Sequence, residues 1–155
     1  MRRNIILMRT SAIAVIFIII ICTAVPVMAA NDERYSYITI NDMTISLDKD
    51  QANIKVNYTI DTGTQLIVYL LGKQDLKNKL LKVLNYEDAT VKNVEMNSAE
   101  IQINDISYDY GKGIYWFPEH EFNVVIPTLR VVSPQVTREY RNTKKFSDGM
   151  GFFDR

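Results

Sequence analysis

Apolar and polar side chains alternate with a period of two residues over most of the chain after residue 35. The clearest segment is NIKVNYTI, residues 53–60. Its apolar positions are Ile54, Val56, Tyr58 and Ile60, with polar side chains between them. A period of two is that of a β-strand with one face buried and the other in water. We therefore expect a fold built mainly from strands.

Several other segments carry the same alternation or are bounded by turn residues. The further strands predicted are Tyr35–Ile40, Met43–Leu47, Ala89–Met96, Ala99–Ile103, Glu121–Ile126, Thr128–Ser133 and Val136–Tyr140. The turn DKDQ at positions 48–51 would join the second of these to residues 53–60 as a hairpin. A turn is also expected at Asn41 and Asp42. Pro127 is expected to bend the chain between two short strands, because proline cannot donate to a ladder.

Two apolar segments between residues 65 and 84 are assigned differently. Gln65–Gly72, QLIVYLLG, is apolar on every side, and its β-branched residues between flanking glycines favour a buried strand. Asp75–Leu84 is the one predicted helix, with Asp75 as its N-cap and Asn85 as its end. The apolar face of this helix would consist of Leu76, Leu80, Val83 and Leu84.

Aromatic residues surround a glycine-containing loop, Gly111–Gly113, in the second half of the chain. Glycine adopts the positive φ that a three-residue hairpin loop needs, so the loop predicts a hairpin. Tyr108 and Tyr110 would pair across from Tyr115 and Phe117 or their neighbours. Three later phenylalanines are expected to dock on the core: Phe146, Phe152 and Phe153.

These elements together predict one mainly β domain of about seven to nine strands. A two-sheet β-sandwich or open barrel with one short amphipathic helix is favoured. The alternative is an α+β fold, in which the helix packs on a single antiparallel sheet.

The first 30 residues have the composition of an export signal. Arginines stand at positions 2, 3 and 9, and an uncharged apolar run, Ser11–Asn31, follows them. Val27 and Ala29 suit a peptidase cutting before Ala30, which favours a cleaved signal peptide. The run is as long as a membrane-spanning helix, which needs about 20 residues, so an uncleaved N-terminal membrane anchor is the alternative. Either way, the positive-inside bias predicts an extracytoplasmic domain over residues 31–155, secreted or anchored to the membrane.

The exported part contains no cysteine, because the only one, Cys22, lies in the leader. No disulfide, thiol nucleophile or cysteine-bound zinc is therefore expected there. No nucleotide-binding loop, nucleophile elbow or His-Glu-x-x-His motif occurs, and no cofactor is expected. Of 18 basic and 18 acidic side chains, removal of the three leader arginines leaves 15 and 18, a net charge of −3. Nucleic acid is not an expected partner.

His120 is the only histidine, and Glu119 and Glu121 flank it. In a strand the two glutamates would point away from the imidazole, which favours a structural role for His120. The alternative is a small metal-binding protein or hydrolase centred on His120, with Asp105, Asp109 and Glu121 as further ligands.

Three features suggest surface recognition. Asn57 begins an Asn-Tyr-Thr glycosylation sequon on the predicted wet face of its strand. The aromatic residues from Tyr108 to Phe122 are expected to pack in the core or the hairpin, and the alternative is a platform for sugar rings. The candidate binding surface comprises Tyr110, Tyr115, Trp116, Arg138, Arg141, Lys144 and Lys145.

The favoured function is therefore non-enzymatic. We expect a structural or binding domain of the cell envelope that engages envelope protein or polysaccharide, and the membrane too if the leader is uncleaved. A sugar-binding module using the aromatic residues is a further alternative.

Overall fold

A hairpin of two long strands forms the centre of the larger sheet. The structure is a computed structural model that describes residues 37–154, so the leader and the predicted boundary at residue 31 lie outside the described residues. Strand β1 (Ile38–Asp48) pairs antiparallel with β2 (Gln51–Ile60) along its whole length. Lys49, in the connecting turn, has φ of 55°. The predicted hairpin is confirmed.

Two helices and seven further strands follow in the described residues. They are α1 (Thr62–Leu71), α2 (Gln74–Leu84), β3 (Ala89–Val94), β4 (Ser98–Ile103), β5 (Tyr108–Asp109), β6 (Ile114–Phe117), β7 (His120–Val132), β8 (Thr137–Phe146) and β9 (Met150–Phe153). The fold is mainly β, as predicted, with two short helices in place of the single helix expected. Neither helix within residues 37–154 has the length and apolar character needed to span a membrane.

The strands form two sheets. The larger has the order β3-β4-β2-β1-β7-β8, and the smaller has the order β5-β6-β9. Strands β1 and β7 run parallel, whereas the other pairs are antiparallel. The alternative of a single antiparallel sheet is therefore wrong. The six-stranded sheet is open, with β3 and β8 at its edges.

One face of the six-stranded sheet supplies most of the core. Its inward side chains lie at alternate positions, as in β2, where Ala52, Ile54, Val56, Tyr58 and Ile60 are all buried. The buried side chains of α2 and of the small sheet belong to the same apolar cluster. The other face is polar, because Gln, Asn, Lys and Thr occupy the alternate positions of β2, and Ser, Glu and Gln occupy those of β4. This matches the alternation read from the sequence.

A bulge replaces the turn predicted at Asn41 and Asp42. Strand β1 runs on through these residues, and its register with β2 shifts between Ile40 and Asp42. The extra residue reverses the parity of the strand, so that Ile40 and Met43 both face the core. The amide of Asn41 donates to the hydroxyl of Thr59 across the hairpin, 3.1 Å away.

Pro127 does not break the chain either. Strand β7 continues from His120 to Val132, and its register places Pro127 opposite Asn142, whose φ is 48°. The parallel pairing with β1 begins only at Leu129, so the missing N–H of Pro127 removes no bond to β1. The two short strands predicted on either side of Pro127 are one strand.

The segment Gln65–Gly72, predicted as a strand, is most of helix α1. The Asp61 carboxylate accepts a hydrogen bond from the backbone N–H of Gly63, 3.1 Å away, and so caps the helix. Gly72, with φ of 90°, ends it. The sequence pattern predicted burial on every side, but Val68 is the only apolar side chain of residues 65–70 that is buried.

Helix α2 follows the prediction closely. All four residues of the predicted apolar face are buried: Leu76, Leu80, Val83 and Leu84. Asn85 ends the helix in the left-handed conformation, as expected, with φ of 60°. The N-cap is Lys73 and not Asp75, whose carboxylate accepts a hydrogen bond from the Tyr37 hydroxyl.

The helices provide a matched test of burial. Leu80 of α2 is fully buried, whereas Leu70 of α1 is 70% exposed. We expect Leu80→Ala to lower the free energy of unfolding by about 2–5 kcal/mol, because it leaves a cavity. Leu70→Ala should change it by less than about 0.5 kcal/mol. Urea denaturation measures the free energy of unfolding of both variants. Similar decreases for the two would contradict the burial of Leu80 and the exposure of Leu70.

Candidate functional site

His120 lies at the start of β7 and packs on Tyr86. The two rings stack at a centroid distance of 3.6 Å and an angle of 7°, and Phe122 contacts the imidazole edge-on at 5.0 Å. Nε2 of His120 lies 2.7 Å from the carbonyl oxygen of Leu84. A carbonyl can only accept, so Nε2 carries a hydrogen and donates it. His120 thereby fixes the end of α2 to β7.

Two of the other candidate metal ligands make contacts of their own. The Asp109 carboxylate accepts from the N–H of Gly111 at 2.7 Å, and Glu121 pairs with Lys144 at 3.4 Å. Asp105 is an exposed residue with φ of 54°. Within residues 37–154, no three His, Cys, Asp or Glu side chains come together in a group that could hold a metal ion. The structure does not assemble the candidate site from His120, Asp105, Asp109 and Glu121.

A cleft of about 200 Å³ opens beside His120. Its lining includes Tyr86, Asp105, Tyr108 and Glu119. The Tyr86 hydroxyl is buried and has no hydrogen-bond partner among the described residues, and burial raises its pKa. The cleft therefore offers one apolar wall and an acidic rim, and its described lining residues include no serine, threonine or cysteine.

The ionisation of His120 should make stability depend on pH. Burial lowers the pKa of His120, against the opposing effects of the Leu84 carbonyl and the Glu121 charge. The unfolded state then binds more protons below about pH 6.5, so the free energy of unfolding should fall as the pH drops from 7.5 towards 5.5. His120→Phe keeps an aromatic ring but cannot titrate, and should remove this slope. Urea unfolding across the pH range is the measurement, and an unchanged slope in the variant would refute the assignment.

The predicted aromatic hairpin exists and is joined by β9 to form the small sheet. Gly111, Lys112 and Gly113 all have positive φ, as expected for its loop. Tyr108 pairs with Trp116, and Ile114 pairs with Phe153. The prediction that Phe146 and Phe152 are buried is confirmed, but Phe153 is 58% exposed because the alternation of β9 turns it outward.

Large side chains cover the outer side of this small sheet. We call them the aromatic face, and its members are Tyr108, Tyr110, Ile114, Trp116 and Phe153. Tyr108 is 62% exposed, Tyr110 70% and Trp116 39%. Tyr115 belongs to the opposite side, where its ring stacks on Phe152 at 5.6 Å. The structure therefore separates Tyr115 from the other aromatic members of the predicted binding surface.

Trp116 rests against two glycines. A Cβ atom at Gly149 would overlap the indole at Cζ2 and would lie 2.9 Å from its Cε2, and one at Gly151 would lie 3.5 Å from Cε3. The indole therefore packs on bare backbone while much of its surface stays in water. An aromatic ring supported from behind and open in front is suited to stacking against a flat apolar ligand surface.

The basic residues of the predicted surface lie on β8, the edge strand next to β7. Arg138 donates from Nη1 to the carbonyl of Gly149 at 2.9 Å, which brings it beside the support of Trp116. Arg141 pairs with Glu139, which also pairs with Arg130; hydrogen bonds from both arginines lower the pKa of Glu139. Arg138, Arg141, Lys144 and Lys145 are all exposed.

Asn57 lies on the polar face of the large sheet, as its position in the alternation predicted. Its amide donates to the Asp42 carboxylate at 2.8 Å, and the residue is half-buried. This amide nitrogen is the atom that glycosylation would modify. Glycosylation of Asn57 remains a prediction, and it would displace the contact with Asp42.

The support of Trp116 can be tested by filling it. Gly149 has φ of 59° and Gly111 has φ of 80°, but only Gly149 would place a Cβ against the indole. Alanine at either position should cost about 1–2 kcal/mol of backbone strain. Gly149→Ala should cost about 1–3 kcal/mol more through overpacking and shift the Trp116 emission. Equal losses and an unchanged emission spectrum in the two variants would contradict this packing.

Comparison with known proteins gives no further assignment. No protein-family description, curated protein or solved structure matches this chain.

Reasoning from sequence missed two residues of these sites and misplaced a third. Tyr86, which stacks on His120, lies 34 positions before it in a loop, and no local pattern joins the two. Gly149 supports Trp116, a contact that no local sequence pattern indicates. Phe153 was assigned to the core on hydrophobicity alone, whereas the alternation Met150–Gly151–Phe152 predicts its outward position.

Proposed function

We propose that this protein is a non-enzymatic extracytoplasmic domain of the cell envelope that binds a surface polysaccharide through the aromatic face. The observation that carries the proposal is the position of Trp116, packed on Gly149 and Gly151 and 39% exposed. Sugar rings present flat C–H surfaces that stack on such a ring. Tyr108, its cross-strand neighbour, extends the platform.

The neighbouring basic strand supports an acidic polymer as the ligand. Arg138 contacts the Gly149 backbone, and Lys145 lies farther along the same exposed edge. Two hydrogen bonds join Gln135, just before β8, to Phe153 of the aromatic face. Guanidinium and ammonium groups beside stacking rings would favour carboxylate- or phosphate-bearing glycans.

Two further parts of the proposal rest on contacts and sequence. The contacts of His120 favour a structural role over metal binding or hydrolysis, which supports a protein without enzymatic activity. The leader supports an extracytoplasmic location, secreted or anchored. We also propose that the two sheets pack as a sandwich, because Phe117 of the small sheet stacks on Phe146 of the large one at 5.1 Å.

Trp116 is the only tryptophan, so its fluorescence reports on the proposed surface directly. Titration with acidic envelope polysaccharide should shift or quench this emission saturably. Tyr108→Ala should weaken binding by about 0.5–1.5 kcal/mol, the range for a stacking contact of an aromatic side chain. Tyr69→Ala is the matched control, because Tyr69 is 79% exposed on α1.

Three results would distinguish the outcomes. Saturable binding that Tyr108→Ala weakens and Tyr69→Ala preserves would support the proposal. No response of Trp116 to any polysaccharide fraction would overturn it. If an envelope protein displaces the polysaccharide, and substitution of Arg138 and Lys145 weakens its binding, the β8 edge would instead recognise protein.

A further inference from the structure

Helix α1 presents its apolar side to water. Leu66 is 64% exposed, Ile67 53%, Tyr69 79% and Leu70 70%. Leu66, Tyr69 and Leu70 share one side of the helix by their i, i+3 and i+4 spacing, and Ile67 borders them. Among residues 62–70 of the helix, Val68 is the buried one, and it lies on the opposite side. This reverses the usual arrangement of a surface helix, whose apolar stripe faces the core.

No charged residue lies within α1 itself. A surface helix in contact with water alone normally carries charged side chains on its outer side. Contiguous exposed apolar side chains of this kind mark a contact surface for a membrane or another macromolecule. The chemistry around the helix identifies which of these it is.

Lysines gather at the C-terminal end of α1. A surface cleft of about 440 Å³ begins at Gly72 and includes Lys73, Lys77 and Lys92 in its lining, and none of its described lining residues is acidic. Nζ of Lys73 donates to the carbonyl of Val94 at 2.6 Å. An apolar helix side next to a basic cluster matches the headgroup region of a bilayer that contains anionic lipids.

The start of the described chain lies beside α1. The backbone N–H of Asp61, the N-cap of α1, donates to the carbonyl of Tyr37 at 2.9 Å. The uncharged run of the leader ends at Asn31, six residues before Tyr37. Six residues span at most about 20 Å. A leader retained in the membrane would therefore hold α1 close to the bilayer surface.

We propose that α1 docks on the surface of an anionic phospholipid bilayer. Its exposed side lies at the boundary between headgroups and acyl chains, and the lysine cluster contacts the headgroups. The proposal concerns a surface other than the aromatic face and does not depend on polysaccharide binding. Docked in this way, the domain is held in a defined orientation on the membrane, and not merely tethered to it.

A fluorescence-quenching experiment on the full chain tests this docking. Cys22→Ser leaves a background without cysteine, into which Tyr69→Cys introduces one site for an environment-sensitive dye. The matched control is Thr39→Cys, because Thr39 is exposed and lies two residues from Tyr37. Both proteins are reconstituted into vesicles of phosphatidylcholine and phosphatidylglycerol at 3:1, with nitroxide-labelled lipid as the quencher.

The dye at position 69 should be quenched at least two-fold more than the dye at position 39. Equal quenching at both sites would show that the leader alone brings the domain near the bilayer, and would overturn the proposal. So would an unquenched dye at position 69. Disulfide formation between two copies of Tyr69→Cys at equal rates with and without vesicles would assign the surface to a second copy instead.

Two sets of substitutions separate the apolar and the basic contributions. Leu66→Gln with Leu70→Gln should abolish the excess quenching at position 69, while an unchanged Trp116 spectrum verifies the fold. Lys77→Gln with Lys92→Gln should shift the docking equilibrium about five-fold per lysine on anionic vesicles and leave phosphatidylcholine vesicles unaffected. Retention of the excess quenching in the leucine variant would overturn the proposal.

Discussion

Burial of one face of the six-stranded sheet is the constraint on which the rest of this structure depends. The central hairpin contributes an uninterrupted row of buried side chains from Ala52 to Ile60, and a bulge in β1 keeps the opposing row in phase. Because a strand has a period of two, this burial also fixes the opposite face as polar. Helix α2 and the small sheet add their buried side chains to the same cluster. Both proposed surfaces are therefore presented by elements outside the central strands.

The sequence predicts the regularly patterned, half-buried elements well, and the irregular or exposed ones poorly. Alternation locates β2 and β4 because half of each strand is buried, and helical spacing locates α2 for the same reason. It fails at α1, because the pattern assumes that an apolar run such as Gln65–Gly72 must be buried. The sequence predicts strand ends at Asn41 and Pro127, but both residues lie within continuous strands. A bulge accommodates Asn41 in β1, and Pro127 lies in β7 before its pairing with β1 begins. The stacking of His120 on Tyr86 depends on tertiary contact, which no local rule supplies.

The two proposed surfaces differ in how far the sequence indicates them. Trp116 is conspicuous in the sequence as a single tryptophan, but only the structure shows that Gly149 and Gly151 support its ring. The sequence does not mark helix α1 as a contact surface, because its residues are typical of a protein core. Helix α1 has the amino-acid composition of a buried element but lies at the surface. For this reason its secondary structure was predicted wrongly, and for the same reason its apolar side chains are exposed. His120 is the most obvious candidate for a catalytic or metal-binding residue in the sequence, but its contacts are those of a residue that packs two elements together.

The position of β8 at the edge of the large sheet has a consequence for solubility. Its ten residues leave one row of backbone donors and acceptors unpaired by β7, and such a row can template the addition of a strand from another molecule. Lysine and arginine side chains along this strand disfavour that addition, because two copies placed edge to edge would bring like charges together. Strand β8 thus carries a charge pattern of the kind that opposes edge-to-edge association of folded copies.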